Sequence, residues 1–138
     1  MTAKIYGITA IAVGGAIGTL LRYNLNVKIF SDFMPYATIF ENVTGSFLLG
    51  ILIGWLIHRR LPEWLRLGLT VGLLGGFTTM STLAADTISI STMISTLDAL
   101  KYISISLVGG ITMAFVGFAL GNMIGINKNP SGWEDNLK

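Results

Sequence analysis

Residues 72–82 read Gly72-Leu73-Leu74-Gly75-Gly76-Phe77-Thr78-Thr79-Met80-Ser81-Thr82, in the middle of an apolar run from about Trp64 to Ile94. A bilayer-spanning helix needs about 20 apolar residues, and the run exceeds that. Its centre makes a poor continuous helix, because Gly75-Gly76 is followed by four hydroxyl side chains at 78, 79, 81 and 82. Unwound backbone at membrane depth is tolerated only where it is buried in protein or lines a cavity. Freed carbonyls there suit a cation, and freed N–H groups and hydroxyls suit an anion. The stretch therefore predicts a membrane span broken near its midpoint.

Three further apolar runs surround it: Ile5 to Leu25, Tyr36 to Ile57, and Ala99 to Ile126. The polar breaks fall at Lys28 to Pro35 and at His58-Arg59-Arg60-Leu61-Pro62. The chain is 52% hydrophobic and 12% charged, with a mean hydropathy of +0.71. Soluble domains carry about a quarter charged residues, so lipid is the expected solvent. Barrel strands are segments of about 10 residues with alternating polarity, and these runs are longer and continuously apolar. The expected fold is an all-α integral membrane protein of four transmembrane helices, the third broken mid-membrane. Residues 1–126 form one transmembrane domain, and Asn127 to Lys138 form a polar tail.

Composition excludes several functions. Cysteine is absent, which removes disulfides, thiolate nucleophiles and Cys metal sites. His58 beside Arg59-Arg60 reads as a surface-facing histidine rather than a ligand. No Ser-His-Asp set, carboxylate cluster or strand–glycine loop–helix pattern occurs, so no enzyme is expected. Nine basic residues scattered between apolar runs make no nucleic-acid patch. Four spans place Lys4, Arg59, Arg60, Arg66, Lys128 and Lys138 on one side, against Arg22, Lys28 and Lys101 on the other. The positive-inside bias then predicts a cell-membrane protein with both termini in the cytoplasm.

Polar and small residues inside the runs are the functional candidates. Gly14/Gly18, Gly50/Gly54 and Gly117/Gly121 are G-x-x-x-G pairs, suited to close helix approach within a bundle or between subunits. Asn42 lies two turns into the second run, where its amide donates hydrogen bonds to an anion or glues helices together. Glu41 beside it calls for protonation, a cation such as Arg22, or a water-filled vestibule. Asp86 adds an acidic group one turn after Thr82. In the fourth run Tyr102, Ser106, Gly109 and Thr112 share one helical face, turned to a water-filled path or to a neighbouring helix.

In this order the elements resemble the Fluc/CrcB fluoride channel family. The resemblance rests on Gly14-Gly15-Ala16-Ile17-Gly18 with Arg22-Tyr23, on Thr38 to Gly50 around Asn42 and Gly45-Ser46-Phe47, and above all on Gly72 to Thr82. It covers nearly everything except the tail. It implies a passive channel exporting fluoride, built as a dimer of subunits inverted relative to each other in the lipid membrane. It implies a structural Na⁺ at the dimer interface, held by backbone carbonyls expected at Gly75 and Thr78. The implied pore-lining set is Asn42, Met80, Ser81, Thr82, Leu83, Asp86, Tyr102 and Ser106, with Arg22 as a basic vestibule residue.

Two departures from the family pattern stand out. Its break typically reads T-T-F-S-T-F, and the electropositive ring edges of those phenylalanines face the anion. Here Met80 and Leu83 stand in their places, and Glu41 replaces a usual apolar residue. An inverted homodimer needs a near-zero Lys/Arg bias, whereas six against three fixes one orientation. This chain is therefore expected to be half of a heterodimer with a paralogous subunit, with a homodimer as the alternative. Outside the family, a small multidrug-type proton-coupled exporter would need a carboxylate in the first span, which is missing. A non-transporting scaffold or assembly partner is the third reading.

Overall fold

The computed structural model describes residues 2–29 and 35–127. The expected tail beyond 127 and much of the first loop lie outside the described residues. The elements are α1 (Thr2–Lys28), α2 (Tyr36–Leu56), α3 (Glu63–Leu67), a π-helical stretch (Gly68–Leu74), α4 (Gly75–Phe77), α5 (Met80–Met93) and α6 (Thr96–Asn127). Among the described residues all regular structure is helical. Four segments are long and apolar enough to span a membrane: Lys4–Lys28, Tyr36–Leu56, Glu63–Met93 and Thr96–Ile126.

The spans form two close pairs. Helix α1 lies along α3, the π-helical stretch and α4, and α2 lies along α6. Glycine makes both seams possible. A Cβ on Gly14 would strike the Gly68 carbonyl oxygen, and one on Gly18 would strike that of Leu73. From the other side, a Cβ on Gly76 would come within 2.7 Å of the Gly15 oxygen. The second seam is reciprocal: Gly50 and Gly54 face the Ala114 and Phe118 carbonyls, and Gly117 and Gly121 face those of Phe47 and Ile51. No described glycine has positive φ, so these residues serve close approach rather than turns. Apolar burial drives little association in lipid, and backbone proximity of this kind supplies the van der Waals contact instead. All three G-x-x-x-G pairs are thus engaged inside one chain.

The third span joins the two pairs. Its first half packs on α1, and α5 then crosses to α6, where Leu83, Ile90, Ala99 and Tyr102 form a buried cluster. Outward-facing positions such as Ile8, Ile88, Val108 and Phe115 are exposed on the chain, as lipid-facing residues should be.

Tyr102 and Ser106 are buried, Gly109 is half-buried, and Thr112 is exposed. The buried stripe continues instead through Gly110, Gly117, Gly121 and Gly125. These positions recur at multiples of three to four residues; Gly110, Gly117 and Gly121 stay against α2 and Gly125 meets His58 just beyond it, whereas Thr112 lies off that line.

A polar cleft beside the extended threonines

Helical winding stops at Phe77 and resumes at Met80. Thr78 (φ −78°, ψ 156°) and Thr79 (φ −150°, ψ 126°) are extended between the two helices. Extended backbone has no helical partners, so each freed group needs another. Asn42 of α2 supplies two. Its Oδ1 accepts from the Thr79 N–H at 2.7 Å, and its Nδ2 donates to the Thr79 carbonyl at 2.9 Å. Thr79 also caps α5, its Oγ1 accepting from the Thr82 N–H at 3.2 Å. Because the Thr79 N–H turns to Asn42, the Gly75 carbonyl loses its ordinary helical donor.

A cleft of about 380 Å³ opens beside this segment. Asn42, Gly75, Thr78, Met80, Leu83 and Ser106 all border it. The buried Ser106 hydroxyl has no hydrogen-bond partner among the described residues. Met80 stands 64% exposed at the cleft's edge, whereas Leu83 is buried at 1%. Gly45 is small because Thr78 and Phe77 fill the space its Cβ would take.

The other candidates lie apart from the cleft. Ser81 and Thr82 bond to Thr79 through their hydroxyls, at 3.3 and 3.0 Å. Asp86 Oδ2 accepts from the Thr38 hydroxyl and from the Tyr102 hydroxyl, each at 2.8 Å, and so ties three spans together. Glu41 is fully buried. Its Oε1 accepts from the Asn26 amide of α1, and its Oε2 has no partner. No ion pair joins it to Arg22 among the described residues, where the ion pair present is Lys101–Asp98 at 3.1 Å. The pairing considered for Glu41 is replaced by an amide contact. Half-buried Arg22 contributes its backbone oxygen to Asn26 at 3.0 Å.

Sequence reading missed Thr38, Ser46 and Asn26 as site partners. Thr38 and Ser46 flank Asn42 at i−4 and i+4, so helical spacing already put them on its face. Asn26 offered no such signal, being 15 residues from Glu41.

The fold and the cleft define a small multi-pass membrane protein with a hydrogen-bonding recess between its spans. The chain belongs to the CrcB-like protein, Camphor Resistance (CrcB) family, whose sequence pattern residues 9–118 match. It is similar to Fluoride-specific ion channel FluC 2 of Halalkalibacterium halodurans, 46% identical over 90% of this chain and 92% of that protein. The Bacillus subtilis protein of the same name is 42% identical, over 88% of this chain and 90% of its own length. Fluoride-specific ion channel FluC of Thermus thermophilus is 38% identical, over 83% of this chain and 94% of that one.

Proposed function

We propose that this chain is one subunit of a passive, fluoride-selective channel of the cell membrane, and that the cleft beside Thr78–Thr79 is part of its ion path. The observation that carries the reading is the Ser106 hydroxyl, buried and unpartnered at the wall of a recess that also holds the Asn42 amide. A buried hydroxyl without a partner costs about 1–3 kcal/mol, and an anion accepting its hydrogen bond removes that cost. Asn42 spends one of its two N–H bonds on Thr79 and keeps the other to offer. Fluoride is small and strongly hydrated, so a row of such donors is what it needs on leaving water. Thr82 and Ser81 extend the row, and Tyr102 with Asp86 stands further along the same spans. Arg22 supplies positive charge near the end of α1.

The interruption of the third span belongs at mid-membrane depth, at the interface of two subunits inverted relative to each other. A structural Na⁺ fits the donor set there. The Gly75 carbonyl has lost its helical donor, and the Thr78 carbonyl belongs to extended backbone, so both are hard, uncharged oxygens of the kind Na⁺ takes. Bound there, the ion would supply positive charge that holds the two interrupted helices together. Gly75 itself leaves room, because an added Cβ would meet nothing closer than the Thr70 oxygen at 3.7 Å.

Met80 and Leu83 cannot present an aromatic edge to the ion. The six-to-three Lys/Arg bias favours both termini in the cytoplasm. Both features support a heterodimer in which a paralogous subunit, oppositely inserted, contributes the aromatic residues. Export follows from chemistry: HF enters, dissociates in a near-neutral cytoplasm, and the channel lets F⁻ leave down its gradient.

Fluoride efflux from liposomes holding this chain alone, then with its paralogue, tests the reading. Selective efflux over chloride is expected for the pair and not for the single chain. Strong efflux from the single chain would replace the heterodimer by a homodimer, and none from either would end the channel assignment.

A further inference from the structure

Where α2 ends and α3 begins, a groove of about 860 Å³ lies outside the proposed ion path. Ile53, Ile57 and Leu67 form its walls, and Arg59, Arg60 and Arg66 form its rim. Two spans terminate here, so the rim sits at the boundary between hydrocarbon and water. Aromatic residues mark the same level: Trp64 is 46% exposed, and the Arg59 guanidinium stands 6.0 Å from the Trp55 ring centre.

Charge at the rim is unbalanced. Two exposed guanidinium groups, Arg60 and Arg66, line it beside one carboxylate, Glu63. Arg60 and Arg66 are exposed, and among the described residues neither pairs with Glu63. A guanidinium fork matches phosphate oxygens, and it is held here over walls that water would not favour. A soluble anion has no use for those walls, and a neutral lipid has little use for that rim. We propose that this groove binds an anionic phospholipid, with Arg60 and Arg66 on the phosphate and an acyl chain along Ile53, Ile57 and Leu67. This assignment does not depend on the fluoride reading.

The test is native mass spectrometry of the protein released from nanodiscs of equal phosphatidylglycerol and phosphatidylcholine, with its paralogue present if the assembly requires it. Phosphatidylglycerol should be enriched among the retained lipids. Arg60→Gln and Arg66→Gln should each lower that enrichment, by about fivefold. Arg60→Lys combined with Arg66→Lys should keep most of it, and Lys101→Gln, at the opposite end of the spans, should leave it unchanged. Equal retention of both lipids by the wild-type protein would overturn the proposal. So would inorganic phosphate occupying the site in phosphatidylcholine-only nanodiscs without any phosphatidylglycerol preference. If the glutamine variants slow fluoride efflux equally in both lipids while lipid retention stays the same, the rim serves the permeating ion instead.

Discussion

The seam between α2 and α6 and the cleft beside Thr78–Thr79 meet the same demand in opposite ways. Along the seam both helices run without interruption, and glycine lets them touch through their carbonyls. At the cleft the helix is given up for two residues, and side chains from another span take over the lost bonds. The seam is tightly closed, because a Cβ at Gly50, Gly54, Gly117 or Gly121 would strike backbone. The cleft stays chemically open because its groups are held by side chains, with the Ser106 hydroxyl left over. A membrane protein of this size can therefore hold a polar recess only by making its remaining contacts unusually close.

The strongest challenge to that contrast is Gly50→Val, whose side chain must displace the Ala114 carbonyl. Overpacking against backbone should cost about 3 kcal/mol. Thermal denaturation in detergent should show the melting temperature falling steeply, and an unchanged melting curve would mean the seam is not closed by glycine.

Asn42→Leu attacks the other region by stranding the Thr79 N–H and carbonyl together. A loss of about 2 kcal/mol in stability is expected, within the range for buried groups left unpaired. Fluoride efflux from the reconstituted assembly should be lost with it. Asn42→Asp keeps the acceptor for the Thr79 N–H, so it should fold better than the leucine variant yet still fail to conduct.

Ser106→Ala sharpens the comparison, because it separates folding from passage. The hydroxyl makes no bond among the described residues, so melting should not fall, while efflux should drop by about tenfold if one donor to the ion is worth about 1.4 kcal/mol. Unchanged efflux would take Ser106 off the ion path.

Gly75→Ala should have the smallest effect, under about 0.5 kcal/mol on stability, since its Cβ makes only an ordinary contact with the Thr70 oxygen at 3.7 Å. A large destabilisation would show that the two regions are equally tight.

The four spans were legible because lipid leaves so few options: a run of about 20 apolar residues must be a helix. The special character of residues 75–82 was legible for the same reason, as glycine and hydroxyls are poor material for a span. The pairing of spans was not. Gly14 and Gly18 announce a close neighbour, yet a glycine carries no feature that names it, and α1 chose residues 68–77 rather than α2, the next span in sequence. Asn42 announced a need for partners, but the partner is a peptide group 37 residues away, and no periodicity encodes a bond to backbone. Periodicity left the polar stripe of α6 facing a water-filled path or a neighbouring helix. The buried seam against α2 runs through Gly110 and Gly117, one position on from Gly109 and off the line of Thr112.

The long-range partnership of α1 has a consequence during synthesis. Chains emerge N-terminus first. The first span therefore reaches the membrane well before residues 63–77 leave the ribosome, and α2, which arrives next, offers it little surface. Until the third span is made, α1 has little beyond the Asn26–Glu41 contact with α2, and its glycine face has nothing to grip. Commitment of this protein to its final arrangement thus waits on a segment at the middle of the chain, and a nascent chain stalled before Phe77 should expose that face to whatever else occupies the translocation site.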